Sequence, residues 1–312
     1  MKICVYLSYV GLGTNLLHLS YCHEISKKYG PISIITLCKN LKFALEDDPK
    51  IKEVIVLENK YKKLVDIYYL STNLKKYKFD KIFIYYPSLR IYLAAKFAGI
   101  KNIYHYSFFN KKNLHLIDAA KEFTCKSLKI KDCQTKTNFF LSENKKQKAT
   151  KYFNAQNYNI IIGAGSSGPT TKWGTNNFSN LINKLNKTGN YFFFILCGLN
   201  EENIYKEILE RIEKKNCIDL SQKNISEIMS FLCLCDMYVG NDSFGSHITS
   251  QSDKHSLVIL LDSPRAYTDY TKFHHRIIPD NMDLNDITHG SLINPNSISV
   301  DKVYNQIIKY KN

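Results

Sequence analysis

Val239-Gly240-Asn241-Asp242-Ser243-Phe244-Gly245-Ser246-His247 brings a carboxylate, a hydroxyl, small residues and an imidazole into one short segment. The apolar run Met237 to Val239 suits a buried strand, and Ser243 is a fair N-cap for a helix starting near Gly245. A strand-to-helix turn of this composition fits a nucleotide or phosphate group. Unpaired N–H groups and the positive dipole end of a helix N-terminus attract anions, and Gly245 lets the backbone come close. An ordinary capped helix after a strand would read the same way in this segment alone.

Two further loops fall where strands should end. Gly163 to Trp173 offers small residues for close backbone approach, the hydroxyls of Ser166 and Ser167 for phosphate oxygens, and Lys172 as a point charge. It lacks the Gly-Lys-Ser/Thr context of a P-loop and equally describes a flexible surface loop. Gly198 to Glu202 supplies Glu201 and Glu202, one placed to accept hydrogen bonds from a ribose and the other left in water; the plainer alternative is an acidic helix start. His274-His275 and His289 lack metal-ligand spacing and are expected to be surface or core residues.

Positioning these loops takes a scaffold, and 312 residues suffice for about two domains, each with its own core. A hydrophobic content of 44% with 13% aromatics indicates a folded chain. The nine cysteines show no Cys-x-x-Cys and no regular framework, as expected of reduced, buried thiols. Met1 to Val10 is short, carries Ser8 and Tyr9 and runs into a helical pattern, so it reads as a first strand and not as a secretion signal. No stretch approaches the ~20 apolar residues of a membrane span, which predicts a cytoplasmic chain, soluble or peripheral to the membrane. The net charge of +15 comes from lysines spread along the chain, without a localised basic stripe or a recognisable module, which argues against nucleic acid as partner. It suits acidic partners such as a sugar nucleotide and an anionic membrane surface.

Apolar runs alternate with amphipathic segments throughout. The first half reads as strands at 3–9, 32–37, 54–57, 81–85 and 103–106, with helices at 16–29, 61–76 and 89–97. After a mixed polar stretch over 126–150 the alternation restarts, with strands at 159–163, 191–197, 217–220, 237–239 and 257–261 and helices at 178–186, 201–214, 225–235 and 303–310. Strands alternating with helices imply parallel sheets covered on both faces. The expected fold is α/β, two doubly wound domains over 1–150 and 151–312 facing across a cleft, with ligands at the carboxyl ends of the strands.

Together these segments resemble glycosyltransferase family nine, the heptosyltransferases of the lipopolysaccharide inner core. The resemblance rests on Gly165-Ser166-Ser167 with Lys172-Trp173, on Gly198 with Glu202, and on Gly240-Asn241-Asp242-Ser243 with His247, where either Phe244 stands in a glycine place or one residue more separates Ser243 from Gly245. Tyr77-Lys78-Phe79-Asp80, Ser88-Leu89-Arg90, Ala94 to Ile100 and the closing Ile293-Asn294-Pro295 with its helix are similar too. The resemblance implies a GT-B fold, a nucleotide sugar donor such as ADP-heptose in the C-terminal domain, a lipid-anchored oligosaccharide acceptor in the N-terminal domain, and inversion at the anomeric carbon. It implies no cofactor, and the chain has no Asp-x-Asp metal motif. Carried over residue by residue, the donor site comprises Ser166, Ser167, Lys172, Glu202, Asn241, Asp242, Ser243, Gly245 and His247.

One position departs from the pattern. The family's first loop carries an aspartate proposed as the base, whereas Gly11-Leu12-Gly13-Thr14-Asn15-Leu16-Leu17-His18 puts Thr14 there. A threonine hydroxyl keeps its proton near neutral pH and cannot act as that base; by itself Thr14 reads as a helix N-cap after Gly13. Either His18, His115 or Asp118 serves instead, or orientation and donor activation suffice, or the chain is a catalytically silent sugar-nucleotide-binding homologue. A sugar-nucleotide epimerase of similar fold is a further alternative.

Overall fold

The computed structural model describes the chain except for residues 59–62, 108–114, 167–171, 199, 263–267, 269, 289 and 312. Ser167 and His289 therefore lie outside the described residues. The chain divides into two compact units, Met1–Phe140 and Leu141–Asn312.

In the first unit β1 (Ile3–Leu7), β2 (Ile32–Thr36), β3 (Ile51–Val56), β4 (Lys81–Ile84) and β5 (Asn102–His105) form a parallel sheet in the order β3-β2-β1-β4-β5. Parallel neighbours need crossover connections. These are supplied by α1 (Leu12–Leu17), α2 (Leu19–Tyr29), α3 (Leu41–Ala44), α4 (Asp66–Tyr77) and α5 (Leu89–Phe97), and α6 (Leu116–Leu128) follows β5. β1 and β2 are buried at every residue, which explains their unbroken apolar character. Leu70, Leu74, Ile91, Ala94 and Ala95 pack against Tyr6, Ile35, Ile82 and Ile84 in the core.

Two expectations change here. The helix after β1 starts at Leu12 with Gly11 in the N-cap position, and it breaks at His18 before α2. Thr14 thus lies inside α1 and is not its cap. Helix α6 carries no strong sequence signal because two of its four buried positions are Ala120 and Thr124, weakly apolar residues.

The second unit opens with α7 (Glu143–Thr150), which packs against α10 (Ile225–Leu234), so the division falls at Phe140 rather than at 150. Its strands are β6 (Tyr158–Gly163), β7 (Tyr191–Leu196), β8 (Cys217–Asp219), β9 (Met237–Asn241), β10 (His255–Ile259) and β11 (His274–Ile277), in the parallel order β11-β10-β9-β6-β7-β8. The remaining helices are α8 (Thr175–Thr188), α9 (Glu202–Arg211), α11 (Phe244–Gln251) and α12 (Val300–Lys311). β11 was not expected, since its sequence His-His-Arg-Ile lacks an apolar run.

Both sheets wind in two directions. The chain reverses between β1 and β4 in the first unit and between β6 and β9 in the second. Such switch points open a crevice outside the carboxyl ends of the strands, where doubly wound domains bind ligands. All nine cysteines are free thiols, six of them buried. Among the described residues no helix is long and apolar enough to cross a membrane.

Candidate functional site

The second unit's switch point is built by close backbone contact. Gly163 and Gly240 are register partners at the ends of β6 and β9, a Cβ on Gly240 would meet the Gly163 backbone, and the Tyr238 ring lies against Gly163. A Cβ on Gly163 would collide with the Tyr238 hydroxyl, and one on Gly245 would come within 2.8 Å of the Tyr238 ring. Tyr238 Oη donates to the Asn241 carbonyl at 2.7 Å and lies 2.9 Å from Ser243 Oγ, which in turn accepts from the Gly245 N–H at 3.3 Å. One buried phenol thus fixes the turn that starts α11. No motif reading of the sequence singled out Tyr238.

Asn241 ties the neighbouring loop to this turn. Its Nδ2 donates to the Ala164 carbonyl at 2.8 Å and its Oδ1 accepts from the Trp173 N–H at 3.0 Å. Both ends of the amide are spent inside the protein, and the residue is 2% exposed, so Asn241 shapes the site from beneath. Trp173 is fully buried, and its indole N–H donates to the Ile298 carbonyl at 2.8 Å.

Lys172 and Glu201 form an ion pair at the mouth of this loop. Glu201 also accepts from the backbone N–H groups of Gly198 at 2.9 Å and Ser166 at 3.4 Å. Burial by itself would raise the Glu201 carboxyl, but the Lys172 ammonium and these N–H groups outweigh it and hold the group below its ordinary range. Glu202, the first residue of α9, is exposed and accepts from Gln222 at 2.6 Å. Of the two adjacent glutamates, the structure brings Glu201 to the loop cluster and Glu202 to the loop preceding α10. Ser166 Oγ reaches the Asp242 carbonyl at 3.4 Å.

Asp242 stands between the end of β9 and the Ser243 cap, its side chain 17% exposed. His247 lies one turn into α11, with Nε2 3.8 Å from Asp242 Oδ1. Burial lowers the imidazole's proton affinity, and the Asp242 charge opposes that only in part. Ser166, Lys172, Glu201, Asp242, Ser243, Gly245 and His247 therefore gather at the ends of β6, β7 and β9.

In the first unit the switch point holds Tyr9, Tyr85 and the start of α1. Tyr9 Oη donates to the Tyr85 carbonyl at 3.1 Å, and the Tyr9 ring stacks on His18 at 4.9 Å while Tyr85 meets His18 edge-on. His18 has no exposed surface, and its Nδ1–H donates to the Thr14 carbonyl at 2.7 Å. Burial pushes its pKa down to about 4. The expectation that His18 could take a proton from an acceptor is corrected: it is a core imidazole sealed by two tyrosines. Thr14 is half-buried on α1. His115 caps α6 by accepting from the Ile117 N–H at 3.3 Å, and Asp118 is exposed in that helix's first turn.

Residues 100–271 match the family model described as glycosyltransferase family 9 (heptosyltransferase). No curated protein sequence matches the chain. Among solved structures, the ADP-heptose LPS heptosyltransferase II of E. coli superposes with a TM-score of 0.74 at 17% identity, over 99% of this chain and 98% of that one. A glycosyl transferase family 9 protein of Veillonella parvula gives 0.75 at 17% identity, over 99% and 95%. The E. coli heptosyltransferase WaaC with ADP-2-deoxy-2-fluoro heptose gives 0.69 at 12% identity, over the full length of both chains. The fold is GT-B, built from two doubly wound α/β domains. The chain belongs to glycosyltransferase family 9, the heptosyltransferase family.

Proposed function

We propose that this chain is an inverting, metal-independent glycosyltransferase. It moves a heptose-like sugar from a nucleotide sugar, ADP-heptose in the first instance, to a lipid-anchored lipopolysaccharide core or related glycan at the cytoplasmic face of the membrane. The donor belongs to the second unit and the acceptor to the first. The observation that carries this reading is the meeting of Lys172, Glu201, Ser166 and Asp242 at the switch point of the second sheet. Family membership makes an epimerase the weaker alternative.

Each group has a role that its chemistry suits. Lys172 supplies a positive charge to the diphosphate, and the N-terminal end of α11 adds a dipole of the same sign. A diphosphate competes with Glu201 for the Lys172 ammonium, which leaves the Glu201 carboxylate to accept ribose hydroxyls. Asp242 accepts hydroxyls of the sugar. In a single displacement the acceptor oxygen attacks the anomeric carbon as the bond to the diphosphate breaks, the configuration inverts, and the hydroxyl proton leaves to a base or to water.

The proton acceptor is where a second reading arises. Thr14 holds its own proton, His18 is sealed and His115 caps a helix, so of the named candidates Asp118 is the exposed one. The absence of a carboxylate at Thr14 favours a silent sugar-nucleotide-binding homologue as the alternative. Release of ADP from ADP-heptose, with and without a truncated lipid-A core acceptor, separates the two. Acceptor-dependent release is expected of a transferase, and a large gain in Thr14→Asp would mark α1 as the base position. Tight ADP-heptose binding without release from either protein would favour the silent homologue or a different acceptor.

A further inference from the structure

Among the described residues Asp242 Oδ1 is buried without a hydrogen-bond partner, and His247 Nε2 faces it at 3.8 Å. On its other side the His247 ring meets Tyr270, whose Oη lies 2.7 Å from Nδ1. Tyr270 comes from the segment between β10 and β11, 23 residues beyond His247. His274 of β11 stacks on the same imidazole, ring centroids 5.5 Å apart and planes 5° from parallel. The imidazole is thus held in its plane and addressed at both nitrogens.

A neutral imidazole has one N–H, and the neighbours decide where it sits. With the proton on Nδ1, the ring would donate to Tyr270 and turn the Nε2 lone pair toward a carboxylate oxygen, so two acceptors would face each other. With the proton on Nε2, the ring presents a donor to Asp242 Oδ1, and Nδ1 accepts from the Tyr270 O–H. The phenol keeps its proton, because burial raises its pKa further above the ordinary tyrosine value. Ser250 Oγ lies 3.2 Å from both Tyr270 Oη and the His247 carbonyl, so its proton can turn to the phenol oxygen once the phenol gives its own proton to Nδ1. The second arrangement leaves no acceptor facing another across the ring.

We propose that Tyr270 is a positioning residue. Its hydroxyl holds His247 as the Nε2–H tautomer, whose N–H points its positive end at Asp242 Oδ1 across 3.8 Å, a charge–dipole contact longer than a hydrogen bond, and leaves the other oxygen for the hydroxyls of the donor sugar. This rests on the reading of Asp242 as a sugar contact. Tyr270 lies outside the motif that joins Asp242 to His247, and sequence spacing gives no sign of it.

The test begins with the full chain, 15N-labelled at histidine, with His247 assigned by loss of its signals in His247→Gln. The expected spectrum at pH 7 to 8 is the Nε2–H tautomer in the native chain and a mixture of tautomers in Tyr270→Phe, which keeps the ring packing. An Nδ1–H tautomer in the native chain, or an unchanged tautomer in Tyr270→Phe, would overturn the proposal. Calorimetric titration adds a functional readout. Tyr270→Phe is expected to weaken ADP-heptose roughly 3- to 10-fold while ADP binds as before, about 1 kcal/mol by the tenfold rule; equal losses for both ligands would also overturn it. Asp242→Asn separates the two readings. If that variant binds ADP-heptose as the native chain does, the sugar contact fails, while the tautomer result still decides the role of Tyr270 toward His247.

Discussion

The backbone N–H of Trp173 donates to Asn241 Oδ1 at 3.0 Å, joining residues 68 positions apart in the chain. This bond, with the one from Asn241 Nδ2 to Ala164, clips the loop after β6 to the turn after β9. The loop that ends in Lys172 therefore has a fixed anchor one residue beyond the lysine. Replacing Asn241 by Leu removes both partners and strands a buried N–H and a buried carbonyl, at about 1–3 kcal/mol for each. Urea unfolding of Asn241→Leu should show a loss of about 2–6 kcal/mol in stability, and ADP affinity should fall with it as Lys172 loses its anchor. A variant as stable as the native chain would mean that the clip holds nothing.

Under the proposed function Lys172 meets the donor diphosphate. Lys172→Ala should weaken ADP binding by ~1.5–3 kcal/mol, the range for a charge-assisted contact, as measured by calorimetric titration. The same change unpairs the partly buried Glu201, so its carboxyl should rise from its lowered position, opposed only by the Gly198 and Ser166 N–H groups. Unchanged ADP affinity would place the diphosphate elsewhere.

His18 gives stability a sign with pH. Its folded-state pKa of about 4 lies below the unfolded value of 6.5 because burial disfavours the charged ring. Its contribution is therefore complete above pH 6.5. It is lost as pH falls toward 4, since the unfolded chain takes up a proton that the folded chain refuses. The full difference is about 3 kcal/mol. Unfolding free energies measured between pH 7 and 4 should fall less steeply in His18→Gln, by close to one proton of linkage. Parallel pH profiles would show that His18 does not titrate on unfolding.

The first unit exposes Leu64, Val65, Tyr68 and Tyr69 at 78%, 56%, 71% and 56%, at and just before the start of α4, with Lys63, Lys75 and Lys76 on the same segment. Apolar and aromatic side chains beside lysines suit an anionic bilayer surface, where each nearby lysine adds about 1 kcal/mol. Co-sedimentation with phosphatidylglycerol vesicles is expected to exceed that with phosphatidylcholine vesicles. It should drop several-fold when Leu64 and Tyr68 are both changed to Glu. Equal sedimentation with both lipids, or none with either, would remove this surface from the account of acceptor access.

By itself the sequence determined the alternation of strand and helix, the α/β class and the segment from Val239 to His247, because those signals are local. An apolar run, a serine cap and a glycine act within a few residues of one another. It also showed that a glutamate pair follows β7, but not which one turns inward. Glu201 is the N-cap position of α9 and Glu202 its first helical residue, and a helix rotates successive side chains by about 100°, so the choice depends on where the helix begins. The tertiary structure alone decided that His18 is sealed, since the rings that cover it come from beyond β1 and from the end of β4. It alone set Tyr238 against Gly163, and Tyr270 against His247. Those contacts join residues far apart in the chain, and a sequence carries no local trace of which side chains the sheet order will bring together.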